Sequence, residues 1–268
     1  SAGIWGKPDG CTGWVIMAQT YPETEETPEA KEGTASHEIA ERMNRANAKA
    51  RIGYPTKEET VGTVASNGVV FTEEMYDAAE MFADDVAMVM RETSVFGGPQ
   101  RGIERRIEAK RIHELSYGTT DAFIYGRNQG RLYIWDYKFG FEVVEAYENW
   151  QSINYLAGII EELEINGLDD QYTTVHVRIV QPRAFHRDGP IREWVVKASD
   201  LRAPFNILQA NAHKALGPDA EYKTGSHCKH CPGRHACPAA LKAGLRLYEV
   251  AAQPVPVKLS AEALSVQY

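Results

Sequence analysis

The chain has 268 residues, enough for one large domain or one domain with appendages. Hydrophobic residues make up 43% and charged ones 25%, as in soluble globular proteins, and no apolar run is long enough to span a bilayer. The net charge of −8 argues against binding nucleic acid by overall charge.

The first residues carry neither a basic segment nor a long apolar one, so no secretory signal is expected and a cytoplasmic location is the default. Residues 1–30 read as irregular, rich in Gly, Pro and Glu. A helix is predicted over 32–50, capped by Thr34 and carrying His37 in its first turns. A second is predicted over 72–92, where Met75, Ala79, Phe82, Val86 and Met90 form one apolar stripe. From residue 103 the period changes to two. Strands are predicted over 102–112, 119–126 and 131–138, the last two joined by a tight turn at Arg127-Asn128-Gln129-Gly130. An amphipathic helix follows over 142–165, then strands over 172–183 and 191–197 joined at Asp188-Gly189. A helix over 199–216, capped by Ser199 or Asp200, leads to a cysteine-rich loop, a short helix from about Ala239 and a tail from Gln253. The order predicts an α/β domain around one mixed sheet. Basic residues gather in 101–113 and 223–234, which a folding reading assigns to solvated surface.

The chemistry-bearing residues cluster around the hairpin. The apolar run Leu132-Tyr133-Ile134-Trp135 stops at Asp136-Tyr137-Lys138. Charges at the end of a buried strand are costly unless paired, solvated or metal-bound. Pairing Gly126 with Arg131 sets Asp121 opposite Asp136, and two carboxylates side by side repel unless a cation lies between them. Strand alternation puts Lys138 on the face of Asp136. It can hold an attacking water or stabilise charge developing on a phosphate. One or two Mg²⁺ or Mn²⁺ ions would polarise a phosphodiester and acidify a bound water.

This pattern resembles the PD-(D/E)XK nuclease superfamily and, within it, the RecB-like nucleases. The segment 33–41 is similar to their upstream histidine motif, which makes His37 a metal ligand. The G-x-x-D strand matches Gly118 to Asp121, and the D-x-K strand matches Asp136 and Lys138. The Q-x-x-x-Y helix matches Gln151 and Tyr155, which share a helix face. The resemblance makes Asp121, Asp136, Lys138, Gln151 and Tyr155 catalytic. His37, Asp121, Asp136 and the Tyr137 carbonyl become ligands of Mg²⁺ or Mn²⁺. Glu104 is a further acid, with Glu108 competing for the place. Gln181-Pro182-Arg183 is similar to phage and prophage members, with no mechanism attached.

Four cysteines are present, Cys11 and a late group Cys228-x2-Cys231-x5-Cys237. Three soft ligands in a short loop point to a metal. A lone early cysteine before three late ones resembles the iron–sulfur staple of AddB-type and CRISPR-associated nucleases. This implies a structural [4Fe–4S] cluster on Cys11, Cys228, Cys231 and Cys237. A zinc site using His227, His230 or His235 is the alternative.

The resemblance covers roughly residues 8–240. It implies a restriction-endonuclease-like core, a mixed central sheet flanked by helices, closed by a C-terminal iron–sulfur or metal knuckle. One RecB-like domain spans 1–250, with a helical part at 32–95, the catalytic core at 101–200 and the cysteine cluster at 223–246, followed by a tail at 251–268. The implied function is a metal-dependent DNA exonuclease in phage or prophage recombination or DNA processing, in the bacterial host cytoplasm. DNA is the partner, and no membrane is involved. A P-loop motif is missing from the sequence, so any helicase, like any single-strand annealing protein, would be separate. The alternatives are a non-catalytic nucleic-acid-binding module on the same fold, and a hydrolase acting on RNA or a modified nucleotide.

Overall fold

Alternation along the strands builds this molecule in three layers. In the computed structural model, which describes residues 1–22, 26–47, 49, 51–95 and 97–252, five strands form one mixed sheet. They are β1 (Gln100–Glu108), β2 (Tyr117–Gly126), β3 (Arg131–Tyr137), β4 (Thr174–Val180) and β5 (Ile191–Lys197), side by side in chain order. Pairing is antiparallel except between β3 and β4. Phe123, Tyr125, Leu132 and Ile134 point into one core, and Ala122, Ile124, Tyr133 and Trp135 into the other.

Helices α1 (Ala2–Trp5) and α2 (Gly13–Thr20) occupy the stretch expected to be irregular. Helix α3 (Pro28–Asn47) starts earlier than predicted. Thr27, whose hydroxyl accepts from the Ala30 N–H, precedes Pro28 in the first helical position, and Thr34 lies exposed inside the helix. Helix α4 (Lys57–Thr60) is closed by a Thr56–Glu59 capping box. Helix α5 (Glu73–Ser94) matches its prediction, with Thr72 as cap and the expected stripe packed against the sheet.

The helix expected over 142–165 is shorter. Helix α6 (Trp150–Glu162) begins where Asn149 caps the Ser152 N–H. Residues 142–149 are a loop, because the Gln181 side chain satisfies their backbone instead. It donates to the Gly140 and Glu142 carbonyls and accepts from the Val144 N–H. This supplies the physical role that Gln181-Pro182-Arg183 lacked. Arg183 continues the clamp, pairing with Glu32 at 3.0 Å and Glu74 at 2.9 Å.

A short α7 (Leu168–Tyr172) precedes β4, and α8 (Arg202–Leu216) follows β5. Neither Ser199 nor Asp200 caps α8. Both lie in a 3-10 turn, Ala198–Leu201, and Pro204 falls in the first turn, where its missing N–H costs nothing. Helix α9 (Pro238–Ala252) is longer than predicted and takes in the first two residues of the expected tail; residues 253–268 lie outside the described residues. Helices α3 and α5 cover one face of the sheet, α6 and α8 the other. No helix among the described residues is long and apolar enough to cross a membrane.

Candidate metal centre and active site

The site forms where β2 starts and β3 ends. The hairpin register is the predicted one, with Gly126 opposite Arg131 and Ala122 opposite Trp135. One step further sets Asp121 opposite Asp136. Gly130 takes a left-handed φ of 59° in the turn, a conformation that glycine adopts without strain. The Tyr137 N–H donates to Asp121 Oδ2 at 2.6 Å, which fixes that carboxylate.

Helix α3 brings His37 alongside, with Nδ1 at 3.4 Å from Asp121 and 3.8 Å from Glu104. Among the described residues, His37, Glu104 and Asp121 form the one set of three or more such side chains whose ligand atoms all lie within 4.8 Å of one another. Between the two candidate acids on β1, the structure puts Glu104 at the site. Glu108 pairs instead with Lys110 at the surface. Glu104 holds a left-handed φ of 44° inside a strand, strain of a kind that gathers at functional positions.

Asp136 stands on the α6 side. Its Oδ1 accepts from Lys138 Nζ at 2.8 Å and from Gln151 Nε2 at 3.3 Å. Gln151 also donates to the Tyr155 hydroxyl. Asp136 Oδ2 is buried and has no hydrogen-bond partner. Burial first, then the neighbouring Asp121 charge, holds the Asp136 carboxyl above its usual range, against the pull of Lys138. Asp121 goes the other way: burial opposes ionisation, but the His37 charge and hydrogen bond, with Lys138 behind them, hold it low. His37 itself is disfavoured as a cation by burial, yet the Asp121 charge and the hydrogen bonds to Asp121 and Glu104 push it up to about 10. Without a metal, an imidazolium thus stands among the carboxylates as the neutralising cation. An unpartnered buried carboxylate oxygen beside a His–Glu–Asp set fits a hard divalent ion.

One site residue escaped the sequence reading, and the structure gives the motif's glycine a reason. Ser36 bonds the Tyr137 hydroxyl at 2.6 Å and holds α3 to β3, so it sets where His37 sits. Gly118 is required because a Cβ there would meet the Tyr155 ring at 2.1 Å. A small residue beside the histidine motif was the only signal for Ser36, whereas Gly118 stood in the G-x-x-D motif itself. Tyr137 enters through its backbone N–H and through a buried ring stacked on Phe82.

The family comparison covers this whole constellation. A family model described as protein of unknown function (DUF2800) matches residues 4–268. The chain belongs to that family. No curated protein matches it. The DUF2800 match takes in His37, both aspartates, Lys138, Gln151, Tyr155 and all four cysteines.

The cysteines of this DUF2800 chain lie apart from the His37 set. All four line one small cavity, with Cys11 and Cys237 buried. The Lys223 N–H approaches Cys11 Sγ at 3.4 Å, Gly13 N–H donates to the Glu221 carbonyl, and the Thr12 hydroxyl accepts from the Glu221 N–H. Protein contacts alone therefore bring the N-terminal helices onto the cysteine loop. The sulfurs are not gathered as closely as the His37 set. One tetrahedral zinc, with bonds of about 2.3 Å, needs its sulfurs roughly 4 Å apart. His227 also lines the cavity but bonds the Lys223 carbonyl; His230 pairs with Glu142, and His235 packs on Tyr21.

The two basic stretches divide their work. Arg105 pairs with Glu162, Lys223 with Glu221 and Lys229 with Glu142. Arg106 lies over the Tyr117 ring at 3.7 Å. Arg101 joins Arg51 and Arg91 around a cavity of about 330 Å³ that Ile103, the residue before Glu104 in the chain, also lines.

Proposed function

We propose that this protein is a metal-dependent DNA exonuclease of the PD-(D/E)XK type, hydrolysing phosphodiester bonds in phage or prophage DNA processing. The observation that carries the reading is the set His37, Glu104 and Asp121, with Asp136 and its buried, unpartnered Oδ2 standing outside that set, across the hairpin from Asp121. His37, Asp121, Asp136 and the Tyr137 carbonyl, with Glu104, would hold Mg²⁺ or Mn²⁺. Such an ion supplies Lewis-acid polarisation of the phosphate and a lowered pKa for a bound water.

The chain's own groups do the rest. Lys138 is held by Asp136, and although burial opposes its charge, the Asp136 and Asp121 carboxylates keep it protonated. Its remaining N–H donors orient the attacking water and meet charge gathering on the phosphate. Gln151 and Tyr155, braced against each other, position the strand. Arg51, Arg91 and Arg101 offer the next phosphate a basic cavity.

The shared cavity of Cys11, Cys228, Cys231 and Cys237 supports a [4Fe–4S] cluster of structural role, since four sulfurs on separate irons stand further apart than those on one zinc. A brown, anaerobically purified protein with broad violet–blue absorption is expected, and a colourless protein containing zinc counts against the cluster.

The test is cleavage of end-labelled oligonucleotides with Mg²⁺ or Mn²⁺, in the parent and in Lys138→Ala. The variant should lose cleavage by at least about 100-fold while keeping its DNA affinity. A parent that binds DNA and cleaves nothing would turn the reading to a non-catalytic binding module.

A further inference from the structure

The nuclease reading leaves a second feature of the site unused. On the far side of Gln151 and Tyr155 from Asp136 lies a slot of about 370 Å³. Its walls include Trp5, Trp14, His113 and Tyr117, and Asn154 is among its polar groups. Helices α1 and α2 supply the two indoles, and the start of β2 supplies Tyr117. The slot is continuous with the metal site, because Gln151 lines it and also donates to Asp136.

Three observations bear on its occupant. Flat aromatic faces from separate elements converge there. The indole N–H of Trp14, a wall residue of the slot, is buried and has no hydrogen-bond partner. At the rim Arg106 covers Tyr117, a cation beside an aromatic ring. Aromatic side chains from separate elements and a neighbouring cation are what a nucleotide asks for.

We infer that the slot receives an unpaired nucleobase of the strand whose phosphate is cleaved, so that the substrate is single-stranded at the scissile nucleotide. This rests on the nuclease reading. A duplex would have to open before its strand reached Lys138. Trp14 lines both this slot and the cysteine cavity, so the helices that wall the slot are the ones docked on the cysteine loop.

The experiment uses the full chain with Ca²⁺ replacing Mg²⁺, so that the oligonucleotide stays intact. A thymidine decamer should quench tryptophan emission, and an abasic decamer of equal charge should not. Trp14→Phe should remove most of the quench. Tyr117 is 59% exposed, so Tyr117→Ala leaves the core untouched. It should weaken decamer binding about tenfold, the lower end of what one stacked base contributes. With Mg²⁺, single strands should be cut at least tenfold faster than blunt duplex. Equal quenching by the abasic decamer, or equal cleavage of both substrates with no effect of Tyr117→Ala, overturns the slot and leaves the nuclease standing. Base-dependent quenching without cleavage in Mg²⁺ or Mn²⁺ leaves the slot standing and removes the nuclease.

Discussion

His37 and Asp121, 3.4 Å apart, make the metal-free site self-neutralising. The Asp121 charge outweighs burial and lifts His37 to about 10, against about 6.5 in an unfolded chain. A raised histidine pKa stabilises the fold most fully below pH 6.5, and that contribution disappears as pH climbs through about 10. Thermal midpoints of the metal-free protein should therefore fall over that window, and His37→Gln should flatten the decline. Metal uptake at neutral pH must displace the proton from His37. Titration calorimetry in two buffers of different ionisation enthalpy should show released protons; identical heats would refute the protonated histidine. Gly118 acts at the same scale. Gly118→Ala drives a methyl into the Tyr155 ring, so the tyrosine must leave its place beside Gln151. A stability loss of about 1–3 kcal/mol is expected with reduced turnover, read by urea unfolding and initial rates. Unchanged kinetics would show that Tyr155 does not position the strand.

Elements are tied together by polar groups that periodicity does not reveal. Asp85 on α5 is buried, accepts from the Trp135 indole at 2.6 Å and pairs with Arg178 on β4 at 2.9 Å. It connects a helix to two adjacent strands behind the site. Removing one member of such a set leaves buried donors without partners. Asp85→Ala should cost about 3 kcal/mol in a denaturant titration, and a cost below about 1 kcal/mol would make the set ornamental. Gln181 and Arg183 do the same for the loop after β3. Because Gln181 satisfies the backbone of 140–144, the chain leaves Lys138 in a loop, and α6 starts only at Asn149. That delayed start sets where Gln151 and Tyr155 meet Asp136.

Over the whole molecule, surface charge and the cavity shared by the four cysteines bear on behaviour. Many basic side chains are paired with acids at the surface, where such pairs contribute little and can be exchanged for phosphates. Three arginines on a single strand predict a log–log salt slope of about −2 for binding, measurable by fluorescence anisotropy; a flat response would exclude phosphate contacts there. Cys11 joins the first residues of the chain to the last helix-bearing segment. Cys11→Ser should release α1 and α2, lower the thermal midpoint by several degrees and speed proteolysis within residues 1–22. Lys138→Ala should leave proteolysis within residues 1–22 unchanged, because Lys138 lies away from the cysteine loop.

Sequence alone determined the features that depend on neighbours along the chain. The turn chemistry at Gly130 set the hairpin register, and the register set Asp121 against Asp136. Period-two alternation assigned the two faces of β2 and β3, and the apolar stripe of α5 defined its buried side. Only the tertiary structure decided the rest. Glu104 rather than Glu108 reaches His37 because the β1–β2 register, with Ile103 opposite Ala122 and Arg105 opposite Thr120, sets Glu104 across from Asp121 and leaves Glu108 across from Tyr117. Helix α6 starts late because a glutamine more than thirty residues away answers the loop's hydrogen bonds. Cys11 meets Cys228, Cys231 and Cys237 because α2 packs on the loop around Glu221. Each of these contacts joins segments far apart in the chain, where packing and polar satisfaction select among conformations that local propensity leaves equally open.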